Sequence, residues 1–447
     1  MEKNYKKNVI IIGAAGRDFH NFNTCYRNNE LFNVVAFTAA QIPDIEGRKY
    51  PAELSGELYP DGIPIYAQDD LPELIQKLDV DICVFSYSDV SYQEVMSVAA
   101  EVNTAGADFL LIGGKNSMIQ SSKPVIATGA VRTGGGKSQT SRRVIEILMN
   151  QGLKVVAIRH PMPYGDIARQ KVQRFAEIED LDRHECTIEE MEEYEPHIRR
   201  GNVIYSGVDY GAILQEAEKE ADVIVWDGGN NDFPFYKPDL MITITDPHRA
   251  GHELNYYPGE TTLRMADVVL INKIDSAGPE SIQAVRDNIE NINPSAIVVD
   301  GASPITVDHP ELIRGKRVLV VEDGPTLTHG NMTFGAGTMA AKKFGAAEIV
   351  DPRPFAEKRI KDTFDIYPEI GAVLPAMGYG KEQITDLETT INNADCDAVV
   401  IGTPIDLTRI IQINKPTVRV EYYLQEIGKP DLSGVIDNFL LEKGLKK

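Results

Sequence analysis

One stretch, PVIATGAVRTGGGKSQTSRRVIEILMNQG (residues 124–152), constrains the fold more than any other. An apolar run enters a glycine-rich turn, and the turn enters a helical pattern. A strand of this kind needs parallel neighbours on both sides and helices above and below, so it implies α/β layering. The turn also implies chemistry. Glycine frees backbone N–H groups to converge on phosphates, lysine supplies charge, and a hydroxyl holds Mg²⁺. Gly134, Gly135, Gly136, Lys137, Ser138 and Gln139 supply these parts in order. The common spacing G-x-x-x-x-G-K-[ST] fails, because Val131 stands where its first glycine belongs. Variant loops carry a basic residue five positions before the lysine. Arg132 occupies that position, where it reaches phosphate in its own subunit or a partner's, or serves as a surface charge.

The partners such a loop needs follow downstream. EADVIVWDGGNNDF is a strand ending at Asp227, the acidic residue expected near Mg²⁺ with Ser138. ADVVLINKID ends in Asn272-Lys273-Ile274-Asp275, the N-K-x-D form in which aspartate accepts from a guanine edge and the lysine stem covers the base. A small-residue loop at Ala302-Ser303 closes over the base. Nucleoside triphosphate binding follows from the order of these parts; the base stays open between ATP and GTP.

Strand and helix patterns alternate throughout, and 447 residues exceed one ordinary core. Three α/β blocks are expected: a Rossmann-like domain over 1–122, a P-loop NTPase domain with a mostly parallel sheet over 123–312, and a smaller domain over 313–447. The first opens NVIIIGAAGRDFHNF, with Gly13 and Gly16 but no full G-x-G-x-x-G. A tight turn explains the glycines as well as a dinucleotide does. Arg17 and His20 at the start of the next helix suit a phosphorylated ligand.

Net charge is −22, which argues against nucleic acid and anionic membranes as partners. On so acidic a chain, paired Arg and His residues in loops imply local recognition of an anion. Arg159 and His160 follow one strand; His248 and Arg249 follow another, and both pairs leave the edge at which open α/β sheets bind ligands. Zinc on His248 and His252, or plain strand capping, are the competing readings. The third block adds Glu322, Asp323 and His329 in VEDGPTLTHG, a polar loop suited either to phosphate contact or to a turn. The run EIEDLDRHECTIEEMEEYEPH reads as a solvated or interdomain helical segment. Four scattered cysteines fit neither a disulfide framework nor a zinc site, and no apolar run approaches the ~18 residues of a membrane span. A cytoplasmic homodimer is the expectation.

The set GAAGRDFHNFN, RTGGGKSQTSRR, RHPMPYGD, WDGGNNDFPFY, DPHRAGHE, NKID and VEDGPTLTHG resembles the cyclic 2,3-diphosphoglycerate synthetase-like family, also described as predicted GTPases. That resemblance implies ATP-driven closure of 2,3-bisphosphoglycerate to a cyclic pyrophosphate, releasing ADP and phosphate. Lys137, Ser138 and Mg²⁺ would hold the triphosphate, with Lys137, Arg132, Asp227, His248 and Arg249 catalytic. Arg17, His20, Arg159, His160, His248, Arg249 and His329 would face substrate. The alternative is a GTPase switch or metallochaperone-type GTPase acting on a protein partner. A further alternative makes the first block a dinucleotide sensor.

Overall fold

The computed structural model describes residues 6–14, 16–40, 47–161, 166–229, 232–328, 332–377 and 381–446. Its strands gather into three main sheets. In the first, the order is Lys49–Tyr50, Ile63–Ala67, Phe32–Ala39, Lys7–Ile12, Ile82–Phe85, Asp108–Leu110, and every pairing is parallel except at the Lys49–Tyr50 edge. The central strand KNVIII buries its last four residues, as a strand covered on both faces must.

The second sheet has nine strands. Val125–Ala130, buried along its whole length, lies between Val223–Trp226 and Leu240–Thr245. Val155–Arg159 and Val203–Ser206 extend one side; Val268–Ile271 and Ile297–Ala302 extend the other. These seven run parallel, so their carboxyl ends share one edge. Antiparallel strands close both margins, Gln173–Phe175 at one and Gln425–Glu426 at the other.

The third sheet is built on Arg317–Asp323, which pairs in parallel with Ala398–Ile401, Glu348–Ile349 and Leu374–Ala376. Its core is separate from that of the second sheet. Past Thr417–Tyr422 the chain leaves this sheet. Gln425–Glu426 adds to the second sheet, and the helix Leu432–Glu442 buries Leu432, Val435, Ile436, Phe439 and Leu440 in the second sheet's core. Residues 425–442 thus pack with the phosphate-loop block rather than with the block preceding them.

Two features tie the blocks together around one edge. Tyr256–Tyr257 pairs antiparallel with Val90–Ser91, joining the second block to the first. The helix Ile188–Ile198 lies between the second and third. Its acidic residues are not solvated: Glu189, Glu190, Glu192 and Glu195 are all buried, with Glu192 bonded to Thr403 and Glu195 paired with Arg409. The helical end of the acidic run is therefore an interdomain element, while Glu177, Glu179, Asp182 and Glu185 before it are exposed.

Candidate functional site

The phosphate loop takes its shape from two left-handed residues and from side chains that hold its carbonyls outward. Gly134 and Gly136 have φ of +79° and +110°, and a Cβ at Gly136 would collide with the Asn272 amide. Asn272 Nδ2 donates to the Gly135 carbonyl (2.9 Å), Lys273 Nζ to the Gly134 carbonyl (2.7 Å), and Arg249 Nη2 to the Thr133 carbonyl (2.7 Å). With its carbonyls committed to these donors, the loop leads directly into the helix Lys137–Asn150, whose first N–H groups have no intrahelical acceptor. Such a start is suited to an anion.

The N-K-x-D segment is integrated with this loop. Besides its bond to Gly134, Lys273 meets Asp246 at 2.7 Å. Asp275 Oδ1 accepts from the Ser303 N–H (3.0 Å), and Ser303 Oγ is bonded to both Asn272 and Gln139. Lys273, Asp275 and Ser303 line the same cavity as the loop.

Beneath the loop lies a buried charge cluster. Asp227 is fully buried and accepts from Lys137 Nζ (2.9 Å), Ser141 Oγ (2.6 Å), Arg159 Nη1 (3.2 Å) and His197 Nε2 (3.0 Å). Burial alone would raise its pKa; Lys137 and Arg159 outweigh that and hold the carboxyl well below its ordinary range. Arg159 also pairs with Glu193. Both Asp227 oxygens are engaged by cations and donors, so any Mg²⁺ contact from this residue passes through water or requires Lys137 to move. Ser138, which follows Lys137 on the helix, lines the cavity. Among the described residues no group of three or more His, Cys, Asp and Glu could hold a metal. A single hydroxyl beside a phosphate loop is nonetheless how Mg²⁺ is held together with a nucleotide's own phosphates.

The cavity, of about 1290 Å³, is lined by all three blocks. Lys137, Ser138, Gln139, Arg159, His160, His248 and Arg249 line it. Arg249 Nε and Nη1 are buried without a hydrogen-bond partner among the described residues, which leaves them available to an anion at the loop. His248 is exposed and bonded to Ser276 (2.9 Å). His160 is buried, and burial followed by the nearby Arg159 charge pushes its pKa down to about 3; it is a neutral imidazole.

Other predicted residues are placed elsewhere. Arg17 is buried against the Phe233 and Phe235 rings, paired with Asp232 and bonded to the Phe233 carbonyl. His20 stacks on Phe235 and bonds the Ser117 carbonyl, and burial pushes its pKa down to about 3. Both are core links between the first and second blocks and do not line the cavity, so the expected phosphate contact at this helix is replaced by internal partners. Arg132 also faces inward. It pairs with Asp89, bonds His252 (2.8 Å) and lies 3.7 Å over the Tyr256 ring. Asp89, whose φ is +61°, also accepts from the Thr133 N–H (3.0 Å), so the first block braces the loop. His329 lies outside the described residues.

Sequence reading missed Asp89, Arg142, Glu192, Glu193 and Tyr422, all of which line the cavity. Arg142 was within reach, because it stands one turn after Ser138 on the loop's helix. The others carry no local signal.

A glycine loop ending a buried parallel strand, with lysine at the helix start and an aspartate on the adjacent strand, defines a nucleotide-binding P-loop protein. No family model matches the chain. It is 64% identical over 439 residues to the arginine synthetase ArcE of Thermococcus kodakarensis, covering 98% of each chain, and it belongs to that protein's family. The cyclic 2,3-diphosphoglycerate synthetase of Thermococcus sibiricus is 30% identical over 114 residues, 25% of this chain and 26% of that one. The resemblance to those synthetases is thus real but local, not end to end. Among solved structures, LpxK from Aquifex aeolicus in complex with ATP aligns with a TM-score of 0.43 and 10% identity over 82% of this chain and 99% of that one, too distant a likeness to bear on the site.

Proposed function

We propose that this protein is a nucleoside-triphosphate-dependent ligase that forms arginine. The observation that carries the reading is full-length identity of 64% to an arginine synthetase, on a chain with a built phosphate loop. The chemistry suits the cavity. A guanidinium can be made from a ureido group if its oxygen is first turned into a leaving group. The ureido oxygen attacks the γ-phosphorus, the bond to the nucleoside diphosphate breaks, and a phosphorylated isourea results. Ammonia then attacks the central carbon, the C–O bond breaks, and hydrogen phosphate leaves with one of ammonia's protons. Citrulline and ammonia are the corresponding substrates.

In this scheme the N–H groups of the loop and Lys137 hold the triphosphate, and Arg249, through its free Nε and Nη1, meets the transferred group. Mg²⁺, held by Ser138 with Asp227 through water, would neutralise phosphate charge. Arg159 and His197 fix Asp227, which in turn positions Lys137.

Closure of 2,3-bisphosphoglycerate is the second reading, favoured by the local similarity to cyclic 2,3-diphosphoglycerate synthetases. Against it, the cavity wall carries the carboxyl groups of Glu192, Glu193, Glu322 and Asp323, a lining less suited to a polyanion than to a cationic product. The test incubates protein with Mg²⁺, ammonium, citrulline and either ATP or GTP, and quantifies arginine and nucleoside diphosphate by chromatography. Stoichiometric arginine supports the proposal and identifies the nucleotide. Turnover only when 2,3-bisphosphoglycerate replaces citrulline would refute it.

A further inference from the structure

Besides the phosphate-loop residues, the cavity is lined by charges that the phosphoryl transfer does not use. Arg142 projects from the loop's own helix, lines the cavity, and has no salt-bridge partner among the described residues. Glu192 is 3% exposed and also lines the cavity; one carboxyl oxygen is bonded to Thr403, while Oε2 has no hydrogen-bond partner among the described residues. Asp323, at the end of the strand Arg317–Asp323, sits beside it, and burial together with the Asp323 charge pushes the Glu192 carboxyl well above its ordinary range. Tyr422 lines the same cavity, within electrostatic reach of Asp323, Arg142 and Glu192. Phe334 and Met339 supply apolar lining to the same cavity.

A cation without an ion-pair partner among the described residues and a carboxyl pair with an unfilled acceptor, lining one cavity, are complementary to a zwitterion. Their spacing from the phosphate loop is also informative. Ser138 and Arg142 are four residues apart on one helix face, about 6 Å along the axis. The two side chains therefore leave the same face of the loop's helix and enter one cavity.

We propose that Arg142 binds the α-carboxylate, and the Glu192–Asp323 pair the α-ammonium, of a free amino acid whose side-chain terminus reaches the phosphate loop. The inference rests on the ligase reading for the identity of the amino acid, but the receptor stands on these residues. It makes Arg142 and Glu192 determinants of substrate specificity.

The experiment is calorimetric titration of the protein, held with Mg²⁺ and a non-hydrolysable nucleotide, with citrulline, arginine, the other common amino acids, and agmatine, which is arginine without its carboxylate. Wild-type protein should bind arginine or citrulline and bind agmatine roughly 10- to 100-fold more weakly. Arg142→Gln should bind arginine no better than agmatine, and Glu192→Gln should lose a comparable factor for arginine. Nucleotide affinity, measured in the same variants, should stay intact and reports folding. Binding of a different amino acid with the same dependence on Arg142 and Glu192 would support the receptor and refute the arginine reading. Arginine binding that ignores both substitutions would overturn the receptor alone. Failure of every amino acid to bind protein that still takes nucleotide would overturn both.

Discussion

Replacing Asp227 with asparagine tests whether the charge cluster under the phosphate loop acts as a unit. The change keeps shape and volume but removes the carboxylate that Lys137, Arg159, His197 and Ser141 share. Arg159 retains Glu193, whereas Lys137 has no other salt bridge among the described residues. Breaking one side of a buried pair costs about 3–5 kcal/mol, because a charge is left without compensation. A domain of the central sheet's size loses roughly 2–4 °C in Tm per kcal/mol, so the expected drop is roughly 6–20 °C. Lys137→Met removes the orphaned cation. The double variant should therefore be more stable than the sum of the two single losses by about 1–3 kcal/mol. Scanning calorimetry of the nucleotide-free wild type, both single variants and the double closes the cycle. An Asp227→Asn transition within about 1 °C of wild type, or strictly additive losses, would refute the description of this cluster as a coupled buried pair.

Lys137→Ala should lower nucleotide turnover by about 100- to 1000-fold in a coupled nucleoside-diphosphate assay, and retained turnover would remove the loop from the chemistry. His20 and His160 are neutral when folded, with pKa pushed to about 3 from an ordinary 6.5. The unfolded chain therefore takes their protons first, and their contribution is full above about pH 6.5 and lost as pH falls toward 3. Between pH 6 and 4, His20→Gln should flatten the stability-against-pH slope by about 1.4 kcal/mol per pH unit relative to wild type, read by guanidinium unfolding; an unchanged slope would contradict a buried neutral His20. Gly402→Ala would place a Cβ 2.5 Å from Glu322 Oε2 and 2.7 Å from the Gly337 nitrogen, and should destabilise the third sheet's domain by about 1–3 kcal/mol in thermal unfolding. Asp275→Ala should weaken fluorescent-nucleotide binding about tenfold and reduce any discrimination between ATP and GTP, whereas unchanged titrations would place the base elsewhere.

What the sequence makes legible is what lies close together along it. Gly134 to Ser138 carry their geometry and chemistry in a few consecutive residues, and Asp227, Arg249 and Asn272 each follow an apolar strand that aims them at one edge. Arg17 and His20 mislead because the helix they open is short and its surroundings come from far away: Asp232, Phe233 and Phe235 fill the space a ligand would occupy. Arg132 looks like a phosphate ligand from its spacing, yet Asp89 and Tyr256 turn it inward, and neither lies near it in sequence. Glu192 is hidden for a different reason. A dense acidic run reads equally as solvated or as interdomain, and only the pairing of its helix with Thr403 and Arg409 shows Glu192 and Glu195 buried. The same limit applies to residues 425–442, whose apolar pattern says that they pack but not on which sheet.

That last segment bears on how the protein is made. The helix Lys137–Asn150, which carries the phosphate loop, has part of its cover supplied by Leu432–Glu442. A ribosome delivering about 5–20 residues per second would expose the second sheet for several seconds before that cover emerges. Throughout that interval the nascent second block shows an apolar face and an unpaired strand edge at Ile297–Ala302. Completion of the second block's core thus waits until residues 425–442 have been made, and a chain interrupted shortly before residue 425 would have its parallel strands but lack that cover, a natural target for chaperones and proteases.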